Sequence, residues 1–453
     1  MVRIGCLAAV LVLAAFVRLD GLGTPHTYVA DEGFYARDGC SYVLHSRRTC
    51  GVGGDTTPEH PPLGKWLIGL GIKLDGFDPS GWRIASAIAG ILTVALLFAL
   101  ALRLLASLAA ATLAAGLLAV EPLHVVQSRV ATLDVFVTLF GVAAVLCWLL
   151  DRDSGSRRLV PPWRLASGIA CGAAVASKWS GALALLAVLV LFAVEQRGRL
   201  ARVLPSAAVC FGVVPLVVYC ATFAGRLHGR LLALPWSHGS LVRALAHRTR
   251  EMWHDQTGHF ATSAYQSPPW TWPLLQRPNV HYASVRGGSF HETLAVGSPL
   301  IWWPGFVAAV VAGVVAVRSR GNDLAAATVA ICVAMTYLPW LVLAHGRSFV
   351  FLYYMTPVVP FLCLAVGWAH TRLAPRLQVL SPALAAASIL LLLFWWPILT
   401  AQPISAGEWR SRVVFHDCRA NLQPQHLPAD AGGQPRAWGR LLHGPPQHGW
   451  CWV

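Results

Sequence analysis

Eleven stretches of this chain are apolar over nearly the length of a membrane-crossing helix or more, and that recurrence leaves few folds open. They fall near residues 4–19, 84–102, 105–121, 130–150, 165–176, 181–194, 203–223, 299–317, 324–343, 349–369 and 377–399. In hydrocarbon every backbone N–H and C=O must find its partner within the protein, so such segments become helices packed side by side. The pair at 165–194 is interrupted by Ser177-Lys178-Trp179-Ser180-Gly181. Only 12% of residues are charged, against about 25% in a soluble domain. The expectation is an all-α polytopic membrane protein with about eleven crossings.

The net charge of +15 could suggest a nucleic-acid partner, but its placement argues for topology instead. With a cytoplasmic N-terminus and alternating segments, the short inner loops hold Arg103, Arg152, Arg157, Arg158, Arg164, Arg197, Arg199, Arg202, Arg318, Arg320, Arg372 and Arg376. The short outer loops hold only Arg129, Lys178 and Arg347. That asymmetry is the positive-inside rule. The first segment follows Arg3 and is short, like a secretory signal, yet no small-residue cleavage site follows Phe16-Val17-Arg18. It is read as an uncleaved anchor, and Asp31 lies outside on either reading.

Residues 1–400 form the membrane part, with long outer loops at 20–83 and 225–298, and residues 401–453 a polar outer tail. Within the first loop, Leu63 to Leu74 is too short to cross and reads as an amphipathic helix in the interface, anchored by Trp66. The tryptophans of Ser267-Pro268-Pro269-Trp270-Thr271-Trp272-Pro273 suit headgroup depth. Of the eleven cysteines, Cys40, Cys50, Cys418 and Cys451 fall on the oxidising outer side, where a Cys40–Cys50 bridge is one possible pairing.

Chemistry concentrates at Asp31-Glu32, an adjacent acidic pair in a chain with only 20 acids, set among Tyr28, Phe34 and Tyr35. A carboxylate against apolar rings has a raised pKa and can take a proton from a hydroxyl. Arg83, Arg129, Lys178 and Arg347 stand at the outer ends of helices. Singly, each could snorkel or pair with an acid such as Asp134. Together, away from the basic loops, they suit a lipid phosphate at headgroup depth. No predicted span has a carboxylate or lysine near its middle, which disfavours an ion-coupled transporter. Gly51-Val52-Gly53-Gly54-Asp55 lacks the Lys-Ser/Thr ending of a nucleotide loop, and His247, His254 and His259 match no zinc spacing, so no metal is expected.

In these residues the chain resembles the protein O-mannosyltransferase family, specifically its bacterial branch. The resemblance runs through Asp31-Glu32-Gly33-Phe34-Tyr35-Ala36-Arg37-Asp38, His60-Pro61-Pro62-Leu63-Gly64-Lys65 and Gly81-Trp82-Arg83. It continues in Ser128-Arg129 to Leu133-Asp134, Ser177 to Gly181, Ser267 to Pro273, Arg277-Pro278, and Arg347 with Tyr353-Tyr354. It implies a type-C glycosyltransferase fold, an active site on the outer face of the plasma membrane, and no certain cofactor. The donor substrate would be polyprenyl-phosphate-mannose, and the acceptor a secreted polypeptide, folded or exported unfolded. Asp31 and Glu32 would be catalytic, Asp31 as the base that activates a Ser or Thr hydroxyl. Arg83, with Arg129, Lys178 and Arg347, would hold the donor phosphate, and His60, Lys65, Asp134 and Trp179 would bind substrate. This requires residues 31 and 83 to lie close together. The chain departs from the family at Asp255-Gln256 and Ser263-Ala264-Tyr265, where acceptor handling is expected, and in its tail after Arg412. A glycan or lipid acceptor is the nearest alternative. A lipid-linked sugar transporter is the alternative from another class; it would need the cations but not Asp31.

Overall fold

The computed structural model describes residues 2–413 apart from 54–55, 58, 156–157, 225, 228–229, 232–240, 259–264 and 348–349, together with residues 450 and 452. Most of the tail, with Cys418 and Cys451, lies outside the described residues.

Helix α1 (Val2–Leu19) leads into the first loop, which carries α2 (Glu32–Leu44), α3 (Arg47–Cys50) and α4 (Leu63–Asp75). Then come α5 (Pro79–Leu105), α6 (Leu108–Val120), α7 (Pro122–Arg129), α8 (Asp134–Ser154), α9 (Pro162–Ser177), α10 (Ala182–Glu195), α11 (Leu200–Ala207) and α12 (Val214–Ala221). The second loop holds β1 (Arg226–Leu227), β2 (Arg230–Leu231), α13 (Leu241–Thr257) and an antiparallel hairpin of β3 (Asn279–Arg286) and β4 (Ser289–Ala295). The chain continues through α14 (Pro299–Arg318), α15 (Leu324–Tyr337), α16 (Trp340–Leu343), α17 (Val359–His370), α18 (Leu380–Leu399) and α19 (Ala406–Arg412).

Each predicted apolar segment contains a helix, but the number of crossings is not established at eleven. Among the described residues, seven helices are long and apolar enough to span a membrane, and an eighth if α6 and α7, bent by 57° at Glu121, count as one. Trp179–Glu195 and Val359–His370 are shorter. The spans begin where local chemistry satisfies their first N–H groups. Asp78 caps α5 through Gly81 N at 2.9 Å, with Pro79 supplying the first helical position.

The loops sort to two ends. At one end Arg103 pairs with Asp153 at 2.6 Å, Arg372 with Asp323 at 2.6 Å, and Arg197 with Asn322 at 2.9 Å. All of these lie in or beside loops predicted as inner. At the other, Ala30 N donates to His281 O at 2.8 Å, Ser267 N to Val350 O at 3.0 Å, and Gln256 Nε2 to Glu59 O at 2.9 Å. With 27 residues, α5 separates the two ends by about 40 Å. Helix α8 runs through the interior, whereas α1 and α18 keep most of their apolar surface exposed, as helices facing lipid would.

Two expectations are corrected here. Trp66 is not a lipid-facing anchor: α4 is packed on α2 and α5, and Trp66 is turned inward, donating to Thr222 O at 3.0 Å and meeting the Tyr42 ring. The contact with α2 is so close that a Cβ on Gly69 would sit 2.5 Å from Gly39 O, which is why glycines face each other there. Trp272, expected at headgroup depth, is wholly buried and donates to Ser267, while Trp270 is exposed. The Cys40–Cys50 disulfide closes the first loop.

Candidate active site

The acidic pair divides. Glu32 begins α2 and is wholly buried. Its Oε1 accepts from Arg83 Nε at 2.8 Å and from Ala131 N at 2.9 Å; its Oε2 accepts from Arg83 Nη2 at 2.8 Å and from Val29 N at 2.9 Å. Residues 32 and 83 are thus in direct contact, which brings residue 31, its chain neighbour, close to Arg83 as the sequence reading required. The remaining Arg83 hydrogens go to the carbonyls of Leu22, Pro25 and Thr27. A guanidinium has five N–H donors, and all five are taken. Arg83 has none left for a phosphate, and Glu32 no vacant lone pair for a proton. The expected phosphate and catalytic roles give way to a clamp that ties α1, α2, α5 and the loop before α8 together.

Asp31, immediately before, is half-buried and makes no ion pair among the described residues. Burial raises its pKa above the usual carboxylate range; Lys178 works against that, Asp134 adds to it, and a hydrogen bond from Tyr35 lowers it. Ala30 before it takes φ +48°, a left-handed turn held by the bond to His281 O in β3. The second loop therefore presents Asp31.

Lys178 follows the last turn of α9, where the sequence interruption lets the chain leave the helix. Its Nζ meets Asp134 Oδ2 at 2.8 Å and Oδ1 at 3.1 Å and lies 4.3 Å from the centre of the Tyr354 ring and 5.6 Å from that of Tyr353. Arg347 stands over Trp340 and Tyr354 at 5.9 and 5.8 Å; one terminal nitrogen bonds to Gln256 and its Nε is unpartnered. His60 lies edge-on to Tyr35 at 5.9 Å, its pKa held well below the ordinary value by burial and by Lys178, Lys65 and Arg347. Beneath Tyr354 an apolar slot opens between α8 and α10, lined by Val137, Gly141, Leu183, Trp340 and Phe361.

Three other expected residues belong elsewhere. Lys65 is wholly buried, bonded to Thr57 O at 2.6 Å and paired with Asp38 at 3.2 Å, so it braces the first loop. Arg129 donates to Val17 O at 3.0 Å and Gly21 O at 3.2 Å, closing the end of α1. Trp179 bonds to Tyr219 at 3.3 Å and packs in a separate cluster with Tyr42, Phe223 and Met252. His247 turns to Glu251 on its own helix, and His259 lies outside the described residues.

Sequence reasoning also missed buried polar groups. Glu121, read as the end of a span, sits wholly buried at the α6–α7 elbow, where it accepts from His124 N, Ser298 N and Trp302 Nε1. If that pair is one span, a carboxylate does lie mid-span, but as a brace. Gln127, nearby, meets His281 across 154 positions. A polar residue inside an apolar run was the available signal for both.

A model of the dolichyl-phosphate-mannose-protein mannosyltransferase family matches residues 80–228. The polyprenol-phosphate-mannose–protein mannosyltransferase of Mycolicibacterium smegmatis is 29% identical over 476 residues, covering 90% of this chain and 91% of that protein. Its Mycobacterium tuberculosis counterpart is 28% identical over 478 residues, covering 90% of each. Among solved structures, the Saccharomyces cerevisiae protein O-mannosyltransferase Pmt1–Pmt2 complex bound to the sugar donor superposes with TM-score 0.77 at 14% identity, over 92% of both chains. ArnT of Cupriavidus metallidurans bound to undecaprenyl phosphate gives 0.56 at 22%, over 87% of this chain and 65% of that one. With matching relatives along nine tenths of its length and a shared helical architecture, the chain is similar to the protein O-mannosyltransferases and has the type-C glycosyltransferase fold.

Proposed function

We propose that this protein transfers mannose from polyprenyl-phosphate-mannose to Ser or Thr hydroxyls of an exported polypeptide, at the outer face of the plasma membrane. The observation that carries this is Asp31: a half-buried carboxyl with no salt bridge among the described residues, within electrostatic reach of the Lys178–Asp134 pair. The names of the mycobacterial relatives support the choice of sugar and acceptor.

The acceptor oxygen attacks the anomeric carbon from the side opposite the phosphate, and its proton passes to the Asp31 carboxylate. The bond from that carbon to the phosphate oxygen breaks, its electron pair leaves on polyprenyl phosphate, and the sugar configuration inverts. Lys178 and Arg347, the cations beside the Tyr353–Tyr354 platform, offset the charge on the leaving group. Arg83, through Glu32, positions Asp31 and does not touch substrate.

The test is reconstituted full-length protein with labelled donor and a Ser/Thr peptide. The wild type forms a hexosylated peptide of inverted anomeric configuration, and Asp31→Asn binds donor but transfers at least about a hundredfold more slowly. Unchanged transfer by Asp31→Asn overturns the assignment.

A further inference from the structure

His281 in β3 is not part of the chemistry above, yet its ring stands edge-on to Tyr353 at 5.4 Å, and its carbonyl holds the residue before Asp31. Its ring is fixed by a relay. The Thr132 hydroxyl donates to Gln127 Oε1 at 2.6 Å, which turns the Gln127 amide NH2 toward His281 Nε2 at 2.9 Å. That nitrogen must therefore accept, and the ring hydrogen sits on Nδ1. Nδ1 has no hydrogen-bond partner among the described residues, and the residue is only partly buried. Burial lowers the His281 pKa to about 4, so the ring stays neutral at physiological pH.

A neutral, orientated N–H in this place has a defined use. Lys178 lies 5.6 Å and His281 5.4 Å from the centre of the Tyr353 ring, and the His281 carbonyl holds Ala30, next to Asp31. A sugar whose phosphate is held at Lys178 and whose anomeric carbon faces Asp31 has Tyr353 and His281 within reach of its ring hydroxyls. A hydroxyl there needs a neutral donor, since a cation would compete with Lys178 for the phosphate.

Resting on the transferase reading, we propose that His281 Nδ1–H donates a hydrogen bond to a ring hydroxyl of the transferred sugar, with Gln127 and Thr132 fixing its tautomer. His281 is then a sugar-selecting residue of this chain, and Gln127 a positioning residue.

The experiment measures kcat/KM of full-length wild type, His281→Ala, His281→Asn and Gln127→Glu with polyprenyl-phosphate-mannose and with its 2-, 3-, 4- and 6-deoxy forms. His281→Ala is expected to lose about tenfold with mannose, the cost of one such bond, and nothing further with one of the deoxy donors. His281→Asn, whose amide nitrogen falls near Nδ1, recovers most of the activity. Gln127→Glu accepts from Nε2–H instead, strips Nδ1 of its hydrogen, and mimics His281→Ala while the ring remains. An equal loss on every donor means that His281 only supports the hairpin, and no loss means that it does not touch the sugar; either overturns the proposal. If the wild type turns over none of these donors, the transferase reading fails first and the proposal with it.

Discussion

Asp31 and Glu32 are neighbours in sequence with opposite fates, and the difference is one guanidinium. Arg83 neutralises Glu32 and leaves Asp31 without a salt bridge. Breaking a buried pair strands the surviving charge, so Glu32→Gln should cost about 3–5 kcal/mol of stability. A double variant with Arg83→Met should recover part of that loss, as measured by thermal unfolding in detergent; additive losses would show that the two do not act as a pair. The raised pKa of Asp31 has a kinetic sign. As the proposed base it works ionised, so transfer should increase with pH through a limb raised above the ordinary carboxylate value. Asp31→Asn should abolish that limb along with the rate, and a limb that persists in its residual activity would belong to another group. That the acids mattered was legible from their scarcity. Which one is free to react was not, because the partner that decides it lies 51 positions away.

At the scale of elements, the β3–β4 hairpin is the least foreseeable piece. Short strands inside a polar loop carry little periodic signal, yet this hairpin supplies His281, the support for Ala30, and the buried Glu292. Glu292 Oε2 accepts from Trp409 Nε1 while Oε1 has no partner among the described residues, and burial raises its pKa to about 8. Between the ordinary value of 4.5 and about 8, the folded chain keeps a proton that the unfolded chain has released. Stability should therefore fall as pH rises through that window. Glu292→Gln should flatten this dependence in detergent melts, and an unchanged slope would assign it elsewhere. Helix α4 teaches the same lesson from the other side: Trp66 and Lys65 look like an interfacial anchor and its neighbouring charge, but Thr222, Asp38 and Thr57 draw both inward.

For the whole molecule, the prediction concerns sidedness. Ser289→Cys in the hairpin turn should react with a membrane-impermeant maleimide in intact cells, and Ser319→Cys, after α14, only once cells are lysed; the reverse pattern would invert the proposed orientation. The arginine asymmetry announced this arrangement, and the structure gathers the two sets of loops at separate ends. By itself the sequence determined the helical class, the places of the apolar helices and the loop that bears the acids. Those follow from apolar runs and backbone hydrogen bonding, which act over tens of consecutive residues. Only the tertiary structure decided how the polar groups were shared out: Arg83 to Glu32, Lys65 to Asp38, Lys178 to Asp134, and Asp31 left without a salt bridge. A buried charge must be matched by whatever donor or acceptor the fold brings to it, and that neighbour is set by how helices distant in the chain pack.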